Sequence, residues 1–177
     1  DALVMLGAVY GDERSLRLAA EAMRTIRDAA YRASVGLARE KGAFPAFDGD
    51  RYLQAPFIRA LPDDIRDAIA ASGVRNSHLS AIAPTGTVSL LAGNVSSGLE
   101  PGFAAEQSRL IAGEPAPVGL VDRAAALWRE RHPGGAPLPP AYVTAGELPV
   151  LAHLKMQAAL QPYVDNSISK TINAPQE

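Results

Sequence analysis

No cysteine occurs among the 177 residues, which removes disulfides, zinc-thiolate sites and every thiol reaction from what the chain can do by itself. Aromatic residues are scarce at 6%, and no apolar run reaches the roughly 20 residues that a membrane-crossing helix needs. An excess of basic charge is missing too. Seventeen Lys and Arg against 19 Asp and Glu give a net charge of -2, without the basic stripe of a nucleic-acid binder. The opening Asp1-Ala2-Leu3-Val4 lacks the basic flank of a signal peptide, so the expectation is a soluble cytoplasmic protein with no membrane and no nucleic-acid partner. What is present is ordinary globular material, 47% hydrophobic and 20% charged, punctuated by 15 glycines and 14 prolines.

Leu16, Ala19, Met23, Ile26, Ala30 and Leu37 recur at helical spacing, with Asp12 as N-cap, Arg39 and Lys41 in the last turn and Gly42 beyond it. This predicts a long amphipathic helix whose charges Glu13, Arg17, Glu21, Arg24 and Arg27 form a solvated face. Residues 42–54 are turn-rich and aromatic and read as an ordered loop; 62–71 read as a short helix stopped at Ser72-Gly73. Residues 77–83 alternate weakly before Pro84 and predict a buried strand, followed by a short helix over 85–92 that ends at Gly93. Val118, Val121, Ala125 and Trp128 predict a further helix between the Pro/Gly-rich stretches 113–118 and 133–140. Thr144 and Glu147 have capping-box spacing, but Pro149 draws the start of the next helix toward itself. That helix runs through His153, Met156, Gln157 and Leu160, and Asp165-Asn166-Ser167 breaks the run. Ile168 to Asn173 then alternates as a strand, with Ile168, Lys170 and Ile172 on one face. Strands alternating with helices predict an α/β architecture with parallel strands and intervening helices, its sites at the carboxyl ends of strands.

One junction stands out. Pro84-Thr85-Gly86-Thr87-Val88 is a compact Gly/Thr turn between the expected strand and the helix that follows. Backbone N–H groups in a first helical turn have no intrahelical acceptor and carry the positive end of the helix dipole, so phosphate oxygens can sit there without a lysine. The Thr85 and Thr87 hydroxyls add donors, and Gly86 lets the backbone approach a ligand closely. A strand-to-helix turn wants Gly and a Thr cap in any case, so spacing alone leaves a structural role open.

The stretch A-P-T-G-T-V-S-L-L-A-G-N-V-S-S-G-L-E-P (Ala83–Pro101) and Q-P-Y-V-D-N-S-I-S-K-T-I-N-A-P (Gln161–Pro175) closely resemble the adenosylcobalamin-dependent, class II ribonucleotide reductases. M-R-T-I-R-D-A-A-Y-R-A-S, A-R-E-K-G-A-F-P-A-F-D and R-N-S-H-L resemble the same family in the same order, and the likeness thins only in a variable connection at about 109–142. The resemblance implies the C-terminal part of a catalytic α/β barrel of ten strands, built as two antiparallel sets of five parallel strands. It implies a ribonucleotide substrate whose phosphates bind at Pro84, Thr85, Gly86, Thr87 and Val88, adenosylcobalamin as cofactor, the remainder of the barrel as partner and a thioredoxin-type reductant. The family's thiyl-radical cysteine, its reducing cysteine pair and its Asn-x-Cys-x-Glu segment have no counterpart here, so this piece alone is expected to be inactive and to carry no catalytic residue. The elements that would set diphosphate or triphosphate preference, allosteric control and oligomeric state are likewise expected outside it.

Asn94, Ser96, Ser97, Gly98 and Glu100 resemble a family segment near the active site, and plain turn chemistry accounts for the same composition. His78 and His153 lack the clustered partners a metal site needs and read as core or hydrogen-bonded histidines, so no metal site is expected. Ser89 has no nucleophile-elbow frame. Lys170 is either buried with a carboxylate or solvent-facing and receives no role. A stand-alone noncatalytic domain that binds nucleotides or assembles with a partner is the alternative to a reductase segment.

Overall fold

A computed structural model of the chain describes residues 1–110, 113 and 115–172. Among them run helices α1 (Ala2–Met5), α2 (Glu13–Lys41), α3 (Gly49–Leu53), α4 (Pro56–Arg59), α5 (Asp63–Ser72) and α6 (Gly86–Leu91). Strands β1 (Glu106–Arg109) and β2 (Val118–Val121) follow, then α7 (Arg123–Arg131), α8 (Val150–Leu160) and a 3-10 turn at Gln161–Tyr163. The chain divides into two units: residues 1–19, 82–159 and 168–177 form one, and residues 20–81 with 160–167 form the other. No helix among the described residues is long and apolar enough to cross a membrane.

In the second unit, Tyr31 and Val35 of α2 pack with Ile58 of α4, Ile65 and Ile69 of α5, and Leu61 and Val74 beside them. Phe44, Phe47 and Tyr52 close one side, with ring centroids 5.4 to 6.0 Å apart. Part of the expected 42–54 loop is thus helical, because Asp48 caps α3 by accepting from the Arg51 amide at 3.1 Å. α2 keeps its predicted start, where the Asp12 carboxylate accepts from the Ser15 amide at 2.6 Å. Its buried stripe differs from the expected one: Tyr31, Ser34, Val35 and Ala38 are inside, whereas Ile26 is 54% and Leu37 38% exposed. Arg27, expected in water, is only 6% exposed; it pairs with Asp28 at 2.7 Å and lies over the Tyr163 ring. Helical periodicity reports which side chains share a face, while the neighbouring elements decide which face is covered.

The breaker at 165–167 contains the organising group of this unit. Asp165 accepts from the Tyr31 hydroxyl (2.9 Å), the Leu79 and Ser80 amides (2.8 Å each) and the Ser80 hydroxyl (3.0 Å). This explains why 77–83 is not a strand: two amides that a ladder would use are taken by a side chain. Of the pairing expected for 77–83, the described residues keep an isolated parallel bridge in the first unit, Ile82 with Ile168, where the Ser169 amide donates to the Ile82 carbonyl at 2.8 Å. The expected strand over 168–173 is reduced to the same bridge, and Asn173 lies outside the described residues.

The two strands among the described residues lie in the first unit and pair antiparallel, Glu106 facing Val121 and Arg109 facing Val118. Val118 and Val121, expected in a helix, belong to β2. The helix begins only after Asp122, whose carboxylate accepts from the Ala125 amide at 3.0 Å. α8 starts just after Pro149, and Glu147 instead closes a turn by accepting from the Thr144 amide and hydroxyl at 2.8 and 2.6 Å.

Burial alone would push the Asp165 carboxyl up, but the amides and hydroxyls of Ser80, Leu79 and Tyr31 outweigh it and hold its pKa below the usual 3.8. The stabilisation is therefore complete above the ordinary carboxylate range and lost as pH falls through the lowered folded-state pKa. Replacing Asp165 by Asn should cost about 2–3 kcal/mol at neutral pH. Urea unfolding followed from pH 7 into acid should also show a shallower decline for the variant than for the native chain.

Candidate functional site

Pro84, Thr85, Gly86, Thr87 and Val88 enter α6 as expected, but the entry is not capped by the Thr85 side chain. Thr85 is left-handed, at φ 48° and ψ 26°, and its Oγ1 accepts from the Gly98 amide at 2.7 Å. A β-branched residue in this region is strained by about 1–3 kcal/mol, so the loop around it must over-determine the conformation. Gly86 has negative φ, and a Cβ built on it would meet nothing within 4 Å. Neither the backbone nor the packing requires glycine there. Thr87 and Val88 are exposed.

The candidate active-site loop is held at every residue named for it. Asn94, left-handed at φ 58°, donates through Nδ2 to the Val121 carbonyl at 2.9 Å. The Ser96 hydroxyl accepts from the Asp1 nitrogen at 2.8 Å, and the Ser97 hydroxyl meets that of the buried Ser89 at 3.2 Å. Ser89 in turn donates to the Gly86 carbonyl at 2.7 Å, which excludes it further as a nucleophile. Gly98 sits at φ +51°, and a Cβ there would lie 2.6 Å from the Ala83 carbonyl oxygen. Beneath this loop, Ser89, Asn94, Ser96 and Ser97 line a cavity of about 60 Å³ with Asp122 and Arg109. Ligand pockets run to several hundred Å³, so this cavity is too small to enclose a nucleotide.

Glu100 leads to residues the sequence left without a role. Lys170 Nζ forms a buried ion pair with Glu100 Oε2, the two side chains being 1% and 10% exposed. The other carboxylate oxygen accepts from the Thr171 amide at 2.6 Å. His153, fully buried, receives a Lys170 proton on Nδ1 at 2.8 Å. Burial first, and the Lys170 charge second, push the His153 pKa down, so the ring is neutral and its proton sits on Nε2, which finds no acceptor of normal geometry. The Tyr10 ring packs 5.9 Å from that of His153, and its hydroxyl donates to the Leu99 carbonyl at 2.8 Å. The legible signal was a lysine on the face shared with Ile168 and Ile172, which demands a carboxylate once buried. The carboxylate's position, 70 residues away, carried no such mark. His78 is exposed and bonds only its neighbour Ser77. His132 stacks on Trp128 at 3.7 Å. Among the described residues no three metal-ligating side chains converge.

A family model described as "Ribonucleotide reductase, barrel domain" matches residues 1–177. A vitamin B12-dependent ribonucleoside-diphosphate reductase of Mycobacterium tuberculosis is 38% identical over 194 aligned positions, covering 98% of this chain and 25% of that protein. The protein of the same name from Thermoplasma acidophilum is 30% identical, covering 98% of this chain and 23% of its own length. A ribonucleoside-diphosphate reductase subunit alpha of Treponema pallidum is 29% identical over 73% of this chain and 16% of that protein. The chain spans about a quarter of the length of the first of these relatives. It belongs to the ribonucleotide reductase barrel-domain family.

Substituting Gly98 by Ala should lower stability by about 1–2 kcal/mol from the left-handed backbone alone, with the clash against Ala83 added. Denaturant unfolding of the two forms measures it.

Proposed function

We propose that this chain is the C-terminal portion of the catalytic barrel of a ribonucleotide reductase, and that 84–88 cradles the substrate's phosphates while ribonucleotide is converted to deoxyribonucleotide. The observation that carries the reading is at Gly86, a glycine demanded by neither φ nor packing, at the mouth of a helix and beside a strained Thr85. Space kept clear by a missing side chain over unpaired helical amides suits an anion that must approach the backbone. The Thr85 and Thr87 hydroxyls stand at the same turn. Binding of this kind positions the ribose for groups supplied elsewhere. With no cysteine in the chain, the sulfur chemistry of the family belongs to other segments of the reductase.

Membership of the barrel-domain family supports the ten-stranded barrel, and the parallel Ile82–Ile168 bridge is in keeping with its parallel strands. Leu91 and Leu110, 91% and 75% exposed, are faces for the remainder of the barrel to cover. Two of the named relatives are vitamin B12-dependent, and since no three metal-ligating side chains converge among the described residues, no residue here is assigned to the cobalamin. No step through it is assigned to this chain.

In the complete reductase, Gly86→Ala should leave thermal stability unchanged or raised by up to about 1 kcal/mol, since Ala is the better helix former. Its KM for ribonucleoside diphosphate should nevertheless rise, as should that of the Thr85→Ala, Thr87→Ala double variant. Native KM values in both would remove the cradle from this loop.

A further inference from the structure

We propose that Glu100 and Lys170 are positioning residues: their buried ion pair holds the 94–101 loop where the Gly98 amide can fix Thr85, and thereby sets the shape of the phosphate cradle without touching substrate. The inference rests on the phosphate reading of 84–88.

Three successive residues of the loop are tied down. The Gly98 amide is on Thr85 Oγ1 at 2.7 Å, the Leu99 carbonyl takes the Tyr10 hydroxyl at 2.8 Å, and the Glu100 carboxylate takes Lys170 and the Thr171 amide. Glu100 is therefore two residues from the donor that keeps Thr85 left-handed, with no slack between them. Thr85 would relax out of that conformation if Gly98 withdrew, because nothing in a β-branched residue favours it. Releasing Glu100 should thus displace the start of α6, whose first amides form the proposed cradle. Both Glu100 oxygens are occupied, and the Lys170 ammonium donates to Glu100, His153 and the Thr171 carbonyl, so neither member of the pair is left to meet a ligand. A buried ion pair adds little stability over apolar packing of the same volume. What this one provides is the location of a loop.

The test compares Glu100→Gln, Lys170→Met and their double variant with Thr87→Ala in the complete reductase. The readouts are KM and kcat for a ribonucleoside diphosphate, inhibition by inorganic pyrophosphate, and thermal unfolding. Each single clamp variant should raise KM and the pyrophosphate inhibition constant together, on the order of tenfold or more, with a smaller change in kcat. The double variant leaves no uncompensated buried charge, so it should recover the melting temperature while KM and the inhibition constant stay raised. Recovery of all three would reduce the pair to a structural element and overturn the proposal. Native KM in the clamp variants beside a raised KM in Thr87→Ala would overturn positioning and leave the cradle standing. Native KM in every variant would remove the cradle and the proposal with it. Should the single variants fail to fold, the double variant decides by the same criteria.

Discussion

A backbone N–H that leaves water must find an acceptor, and in this chain two carboxylates supply acceptors where a sheet would otherwise have done so. Asp165 takes the amides of Leu79 and Ser80, and Glu100 takes the amide of Thr171. Each is a charged acceptor, so its hydrogen bonds are stronger than those of a neutral carbonyl. Each also joins segments 70 or more residues apart, a closure that local helix propensity could not achieve. Asp165 performs this within one unit and Glu100 within the other.

The consequences at the candidate site follow from Glu100. A loop pinned at Gly98, Leu99 and Glu100 holds a threonine in a conformation it would not choose, and that threonine opens α6. Preorganised donors stabilise an anion because their reorganisation cost is met during folding rather than during binding. The proposed phosphate cradle would draw on such preorganisation, since a reaction at ribose gains from a phosphate tail held firmly away from the chemistry.

Much of the helical framework was legible. Asp12 and Gly42 bracketed α2, Gly73 ended α5 at φ +70°, and the turn into α6 lay where Gly86 and Pro84 indicated. Caps and stops are local chemistry and can be read from a few adjacent residues. The extended segments were misread for a physical reason: alternation shows a chain suited to pairing, but a strand exists only where a neighbour completes it, and side-chain acceptors at Asp165 and Glu100 intervened. Val118 and Val121, three apart, satisfied helical spacing, yet they lie on opposite faces of β2, and the Asp122 cap places the helix after them. Arg27 looked like part of a solvated stripe because its charge was visible and its cover, Asp28 and the Tyr163 ring, was not.

The sequence by itself determined the ends of α2 and the stop of α5 at Gly73, that a Gly/Thr turn at 84–88 precedes a helix, and, through the motifs around it, which family the chain resembles. Tertiary structure alone decided which face of α2 is buried, that Thr85 bonds Gly98 rather than capping its own helix, and that Lys170 meets Glu100 and His153. The difference lies in range. Capping and turn formation are settled within a few residues, whereas burial and ion pairing depend on groups that only folding brings together, and no spacing along the chain records which those will be.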